Sequence, residues 1–442
     1  MRLIHSANLS SGMQIGDPIH GSAGQLLLAP GVRLNDRYIK LLHELDIPAV
    51  YVADPDTAGI SVPEPLKPRT RAKARKALGE AFERLVPAAK ELRGEPANVT
   101  EAQASSDRFA RTVRTVFGGG GFQSLIDSVE SICHDLLDQR VLTGLNSIKT
   151  HDAYTFQHSI DVTIMGVVLA KRAGWDPARV RLFGIGCMLH DIGKVFIPED
   201  LLRKPGRLTP EEFAVMQQHP KLGYDLIKAL APSLGALVRQ VAYQHHERQD
   251  GSGYPRALQG TNVLGRNDSG KIHDFGALSA VADVYDAMAS TRPYRKAWAS
   301  DQVVQTVIGL AGDQLNRDAV EIFRNVIAPY PVCTEVIVLT GKYLGCRGVV
   351  AIVHPTHIAR PVVRVLFGAD GKRMEPFELD LRIEQDVIIR SSMATDELPA
   401  ESMGGRRREP RQAPPLPDEV LAAMRHTRQT VRAASAHRRL AS

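Results

Sequence analysis

Hydrophobic and polar positions follow a helical period through the middle of the chain and a strand-like pattern towards both ends. From Thr150 to about Ala328, apolar residues recur three or four positions apart and are separated by short polar breaks. Before residue 60 and after Cys333, short apolar runs alternate with turn residues. The pattern predicts a mainly α protein: a helical bundle with a small α+β N-terminal module and a small β-rich C-terminal extension.

Residues 1–60 predict a small module of strands around one helix. Gln25–Leu28 and Ala49–Val52 are short apolar runs, the first flanked by glycine and proline turn signals. Asn35 is the predicted N-cap of the helix between them. The expected apolar face of this helix consists of Tyr38, Leu41, Leu42 and Leu45.

Residues 61–149 predict a linker followed by packing helices. The proline-rich stretch Val62–Pro68 indicates the linker, and a charged helix follows from about Arg71 to Leu92, with Pro87 as a candidate kink. Gly94–Ser106 is polar and predicted as a loop. Helical periodicity resumes at Asp107–Val116 and at Phe122 to about Leu142.

Residues 331–395 predict a small β domain. The runs Glu335–Leu339, Gly348–Val353 and Pro361–Phe367 are rich in valine and isoleucine, and Asp370-Gly371 suits a hairpin loop. Residues 396–442 begin with glycine, proline and arginine, so we expect a basic, disordered tail, with Val420–Leu440 as a candidate loose helix.

Composition narrows the class of protein. A chain of 442 residues with 43% hydrophobic and 24% charged residues is typical of a soluble protein of two or three domains. Aromatic residues make up only 5%, and much of the net charge of +6 lies in the tail arginines, which argues against a sequence-specific nucleic-acid partner. The four cysteines lack CxxC spacing, and we find no signal peptide or membrane-spanning run. These features predict a cytoplasmic protein.

The candidate chemistry centres on His190-Asp191-Ile192-Gly193-Lys194. The histidine offers a metal one neutral nitrogen, while the two oxygens of the carboxylate can bridge two cations. Gly193 is expected to allow a sharp backbone turn, and Lys194 to place an ammonium where a phosphate would lie. Further candidate ligands stand on both sides of this segment, and together they predict a metal centre: His158, His219, the doublet His245-His246, and Asp283 within an apolar helix.

The segments HDIGK, HHERQDGSGYP and ADVYDAMASTRPYR, together with His219, resemble those of the HD-GYP family, a group of HD-domain phosphohydrolases. The resemblance covers residues 150–330 and implies a helical bundle around a two- or three-metal centre. It also implies hydrolysis of cyclic di-GMP to pGpG, GMP or both. Residues 1–60 and the segment after Tyr330 resemble modules often found beside such domains.

The resemblance assigns roles to individual residues. Asp191 would bridge the metals and act in catalysis with Lys194, while Lys194, Tyr254, Arg292 and Arg295 would face the substrate. Iron or manganese is favoured, with zinc or nickel as alternatives. The implied metal ligands are His158, His190, Asp191, His219, His245, His246 and Asp283.

The chain departs from the family pattern in two places, and it also lacks the glutamate of members that bind a third metal. Residues 261–274 form a polar insertion that is expected to affect substrate access, with His273 as an exposed loop residue. Cys333 stands where a glycine-type turn is expected. Tyr154 occupies the position, four residues before His158, that carries a glutamate in members with a third metal, so we predict two metals.

Two alternatives to a cyclic di-GMP phosphodiesterase remain. One is an HD phosphohydrolase acting on another cyclic nucleotide or dinucleotide. The other is a signalling protein that binds the dinucleotide without turnover, although degenerate proteins of that kind usually lose ligands. The sequence leaves signalling protein partners and a homodimer open.

Overall fold

The computed structural model describes residues 1–20, 26–45, 47, 49–93, 110, 112–115, 122–143, 154–204, 206–290 and 298–393. Helices dominate these residues, and small sheets stand at both ends, which confirms the predicted fold class. The predicted loop Gly94–Ser106, half of the predicted helix Asp107–Val116 and the tail 396–442 lie outside the described residues.

The N-terminal module combines two small antiparallel sheets with one helix. Strands β1 (Arg2–His5), β5 (Ala49–Ala53) and β2 (Gln14–Ile15) pair in the order β1-β5-β2. Strand β3 (Ile19–His20) pairs with β4 (Leu26–Leu28).

Helix α1 (Asp36–Glu44) begins at the predicted cap, because the Oδ1 atom of Asn35 accepts a hydrogen bond from the backbone N of Tyr38 at 2.9 Å. Its buried face contains Leu42, with Tyr38 and Ile39 packed beside it. The prediction for Leu41 and Leu45 is wrong, since each is 37% exposed. The face of α1 that packs in the core includes Ile39 instead of Leu41 and Leu45. Helical periodicity alone does not distinguish the observed face from the predicted one.

Two long helices lie between the module and the bundle in the described part of the chain. Helix α2 (Pro68–Arg93) continues through Pro87 and packs against residues 192–196, directly after Asp191. Helix α3 (Gln123–Asp135) ends before the predicted limit at Leu142. The backbone N of Leu142 donates to the carbonyl of Val326 at 2.8 Å, so this residue pairs with a distant part of the chain instead of continuing the helix.

The helical bundle forms around the most apolar helices. Residues 183–189 are buried without interruption, as expected for a helix at the centre of a bundle. Helices α4, α5, α9 and α10 pack against one another there. The bundle consists of α4 (Tyr154–Arg172), α5 (Pro177–Leu189), α6 (Glu199–Leu202), α7 (Pro210–Met216), α8 (His219–Leu230), α9 (Gly235–Gln244), α10 (Asp274–Ala289), α11 (Ser300–Gly309) and α12 (Arg317–Arg324).

The C-terminal extension is an antiparallel sheet with the strand order β10-β6-β7-β8-β9. The first three strands along the chain, β6 to β8, match the three predicted runs. Gly371, with a φ of 77°, lies in the loop between β8 and β9 as predicted. The strands are β6 (Glu335–Val338), β7 (Arg347–Ile352), β8 (Val362–Phe367), β9 (Arg373–Asp380) and β10 (Ile389–Ser391).

The N-terminal module and the C-terminal sheet share a core. The backbone N of Leu3 donates to the carbonyl of Cys333 at 2.8 Å, and Arg2 pairs with Glu335 at 3.3 Å. Cys333 is buried and has a φ of 71°, which is the left-handed turn expected at this position. The apolar residues of the shared core are Leu3, Ala49, Tyr51, Ile60, Val332, Cys333, Val349 and Leu366.

Within the described residues, no helix has an apolar stretch that is long enough to cross a bilayer.

Candidate metal centre

The seven predicted ligands come together where helices of the bundle meet. His158 lies in the first turns of α4, and His190-Asp191 directly follow α5. His219 begins α8, the His245-His246 doublet follows α9, and Asp283 lies within α10. All of these residues are buried except His246, whose side chain is 26% exposed.

The ligand atoms form two groups, and Asp191 faces both. In the first group, the atoms of Asp191, His219, His245 and His246 lie within 4.8 Å of one another; the second contains His158, His190 and Asp283. The Oδ1 atom of Asp191 lies 3.3 Å from Nε2 of His219, whereas Oδ2 lies 3.4 Å from Nε2 of His190. One carboxylate therefore presents a separate oxygen to each group.

Backbone carbonyls fix the orientation of three imidazole rings. The Nδ1 atom of His190 donates to the carbonyl of Cys187 at 2.7 Å, and that of His219 to the carbonyl of Met216 at 2.8 Å. The Nδ1 atom of His245 donates to the carbonyl of Ala242 at 3.0 Å. Since a neutral imidazole carries one proton, each Nε2 is left as a lone pair that points into the centre.

These nitrogen atoms lie close to one another and to the carboxylate of Asp191. The Nε2 atoms of His219 and His245 are 3.3 Å apart, and those of His158 and His190 are 3.2 Å apart. Among the described residues, Oδ1 of Asp191 is buried and makes no hydrogen bond. Lone pairs this close together repel one another unless a cation lies between them. The arrangement of these residues therefore fits divalent metal ions.

The protonation states agree with this interpretation. Burial lowers the pKa of His190 to about 4 and also lowers the pKa of His219 and His246. Burial opposes the charge of Asp191, but Lys194 and the neighbouring imidazoles hold the pKa of this carboxyl well below its usual range. Burial disfavours the charged form of His158, but its hydrogen bonds with Asp283 and Asp286 raise its pKa. His190, His219 and His246 are therefore neutral and the Asp191 carboxyl is ionised, the forms that bind metals.

Of the predicted substrate-facing residues, two are described. The Nζ atom of Lys194 lies 2.5 Å from Oδ2 of Asp191. The ring of Tyr254 lies 4.7 Å from that of His246, between centroids. Arg292, Arg295 and the side chain of Tyr154 lie outside the described residues, so their roles and the exclusion of a third metal stay predictions.

Sequence analysis missed two supporting carboxylates. Oδ2 of Asp286 lies 2.7 Å from Nδ1 of His158 and orients that ring. The buried Glu247 accepts hydrogen bonds from the backbone N atoms of Arg256 and Leu258, both at 2.8 Å, and so holds the loop that contains Tyr254. The position of Asp286, one turn after Asp283 on the same helical face, was the available signal.

Gly193 lies in the short 3-10 helix Ile192–Phe196, and close packing against α8 also requires a residue without a side chain there. A Cβ atom at this position would lie 2.1 Å from the carbonyl oxygen of His219 and 2.6 Å from the backbone N of Gly223. Glycine is therefore required because α8 approaches the backbone here, which brings His219 close to Asp191.

The insertion 261–274 is anchored to α12 and, through the backbone N of His273, to Gln244, the residue before His245, at 2.8 Å. The backbone N of Leu264 donates to Asp318 at 3.0 Å, and that of Gly265 to Asp274 at 3.1 Å. The prediction for His273 is wrong: it is partly buried, and its Nδ1 atom caps α10 by accepting a hydrogen bond from Phe275 N at 3.1 Å. The expected effect of the insertion on substrate access stays a prediction.

The fold and the site together define a helical metal-binding domain in which two histidine–aspartate groups share one carboxylate. The sequence matches the HD domain family over residues 145–318. This segment belongs to the HD-domain family, and its HDIGK and GYP motifs place it in the HD-GYP group.

Curated relatives share this domain. The chain is 33% identical over 247 residues to a cyclic di-GMP phosphodiesterase of Pseudomonas aeruginosa, covering 56% of each protein. It is 34% identical to the cyclic di-GMP phosphodiesterase response regulator RpfG of Xanthomonas campestris, covering 37% of this chain and 45% of the relative. It is 31% identical to the 3′3′-cGAMP-specific phosphodiesterase 2 of Vibrio cholerae, covering 40% and 32%. The chain thus spans about half the length of the first two relatives.

Proposed function

We propose that this protein is a metal-dependent phosphodiesterase that hydrolyses cyclic di-GMP to pGpG, GMP or both. The observation that carries the proposal is the position of Asp191, with one carboxylate oxygen towards each of two groups of ligand atoms. The names of the relatives support a cyclic dinucleotide as the substrate.

The seven residues divide naturally between two ions. When bound, divalent metal ions supply positive charge to a phosphoryl oxygen and activate a water for attack. Iron or manganese is the expected metal. One ion would be held by His158, His190 and Asp283, the other by His219, His245 and His246, with Asp191 common to both.

Charged and aromatic side chains around the centre would position the substrate. The ammonium of Lys194, beside Asp191, would stabilise the negative charge that develops on the leaving oxygen. Tyr254 would contact the dinucleotide beside His246. Arg292 and Arg295 would hold the second phosphate, because a guanidinium can form two parallel hydrogen bonds with a phosphate.

A second candidate substrate is 3′3′-cGAMP. The observation that favours it is the 31% identity with a relative named for that dinucleotide. Both substrates have two phosphates in a ring and differ in one base, so the same metal centre suits either.

Turnover by the purified protein tests the proposal. The protein is purified without oxygen, its metals are quantified, and it is incubated with cyclic di-GMP or 3′3′-cGAMP before chromatography of the products. We expect metal-dependent loss of cyclic di-GMP that a chelator abolishes. Preferred hydrolysis of 3′3′-cGAMP would favour the second candidate. Binding without turnover by fully metal-loaded protein would contradict an enzymatic role.

A further inference from the structure

A row of aromatic rings leads outward from the candidate metal centre. The centroids of His219 and His246 are 5.1 Å apart, and Tyr254 lies 4.7 Å beyond, with its ring tilted 32° from that of His246. Phe213 follows at 5.9 Å from Tyr254, edge to face at 82°. Phe213 is 43% exposed, so the row ends in an aromatic surface that solvent reaches.

The helix that carries Phe213 is tied to the metal centre. The carbonyl of Met216, the last residue of α7, accepts the hydrogen bond that orients His219. Phe213 lies one turn earlier on the same helical face, so it points towards the same side as Met216. The backbone of α7 therefore positions both the ring of Phe213 and the candidate ligand His219.

The other end of α7 is fixed by polar contacts. Thr209 and Glu212 form a capping box, and the Nζ atom of Lys204 lies 2.6 Å from Oε2 of Glu212. No residue of α7 is buried. Core packing therefore does not account for an aromatic side chain at Phe213, whereas its contact with Tyr254 gives it a defined orientation beside the site.

We propose that Phe213, braced by Tyr254, is a stacking platform for one base of a cyclic dinucleotide. The inference rests on the proposed function, because the candidate metals and Lys194 account only for the phosphates. A phosphate bound at the centre leaves its attached nucleoside to extend along the surface. Every base has a π face, so an aromatic ring holds guanine and adenine alike. Phe213 therefore contributes to affinity for dinucleotides and does not distinguish cyclic di-GMP from 3′3′-cGAMP.

Steady-state kinetics of three variants test the platform. Phe213→Ala should raise KM for cyclic di-GMP about tenfold, within the range measured for one stacked base. The kcat should stay within about twofold, because the ring is remote from the bond that breaks. Phe213→Trp should keep the wild-type KM. Val215→Ala is the matched control, since Val215 is 36% exposed on the same helix, and it should leave both constants unchanged.

Equilibrium binding provides a readout that does not depend on turnover. A phosphorothioate analogue of cyclic di-GMP that resists hydrolysis is dialysed against metal-loaded protein, and Phe213→Ala should bind it about tenfold more weakly than the wild type. An unchanged KM and affinity in Phe213→Ala would overturn the platform. A lower metal content together with a lower kcat would also overturn it, because the ring would then only support His219. A loss of affinity confined to one of the two dinucleotides would overturn it as well.

Failure of the proposed function is recognised separately. In that case the metal-loaded wild-type protein would hydrolyse neither dinucleotide. The platform alone fails if the wild type is active and Phe213→Ala behaves like Val215→Ala. A change in oligomeric state in Phe213→Ala, measured by size-exclusion chromatography, would instead assign the exposed ring to a protein contact and overturn the inference.

Discussion

The geometry of the candidate metal centre depends on the positions of single atoms, as Asp191 shows. Its two oxygens face different groups, so Asp191→Ala removes a ligand atom from both groups at once. We expect metal content and turnover to fall together while the helical circular dichroism spectrum is retained. Asp268→Ala, which alters an exposed carboxylate in the insertion, is the control. Normal metal content in Asp191→Ala would contradict the bridging role.

Asp286 makes a second prediction at the residue scale. Its carboxylate lies 2.7 Å from Nδ1 of His158, and it fixes the ring so that Nε2 faces the centre. Asp286→Ala should weaken metal binding about 10- to 100-fold, as measured by competition with a chelator. Excess metal should restore turnover. Unchanged metal affinity would show that packing alone orients His158.

The sequence predicted these residues unevenly. His190-Asp191 and His245-His246 stand out because further histidines and an acid that can bind metals lie in the same helical domain. Asp286, Glu247 and His273 do not stand out, because their functions depend on partners that only the fold supplies. For Asp286, the spacing of one turn after Asp283 was the only local signal, and it does not reveal that the partner is His158.

At the scale of elements, the contact between α8 and the segment after α5 sets the geometry of the site. Gly193→Ala would place a Cβ atom 2.1 Å from a backbone oxygen of α8. We expect a loss of about 1–3 kcal/mol in the free energy of unfolding, together with loss of bound metal.

Gly79→Ala in α2 is the matched control, since a Cβ atom there meets no atom within 4 Å. It should stabilise the protein by about 0.5–1 kcal/mol, because alanine is the better helix former. Urea denaturation of both variants measures the difference. Equal stability of the two variants would contradict the close approach of α8.

Periodicity predicted the existence of the elements better than their limits or faces. The end of α3 was missed because Leu142 pairs with the segment near Val326, which is far away in sequence. The buried face of α1 was shifted because Ile39 and Leu41 flank Leu42 on opposite sides of the helix, and the position of the sheet decides which of them is covered.

For the whole molecule, the shared core at the two ends makes the N-terminal module a structural partner of the C-terminal sheet. Deleting residues 2–60 would expose Val332, Val349 and Leu366. We expect faster hydrogen exchange in strands β6–β8, whereas the centre of the bundle should keep its protection. Leu45→Ser, an exposed position of the same module, is the control. Unchanged exchange in β6–β8 would contradict a shared core.

The overall division into a helical bundle and two small flanking units was predictable, since each part has its own hydrophobic period. The contact between β1 and Cys333 was not, because hydrogen bonds between residues so distant in sequence leave no local pattern. Only the turn at Cys333 was predicted, and the structure gives that turn its partner in Leu3.

The shared core closes the chain into a mechanical linkage. The N-terminal module is joined to the bundle once through α2, which rests against the segment after Asp191, and once through the C-terminal sheet. Two attachments restrict a hinge rotation of the module relative to the bundle. A force applied to the module would therefore either break the contact between β1 and Cys333 or be transmitted through α2 to the segment that follows Asp191.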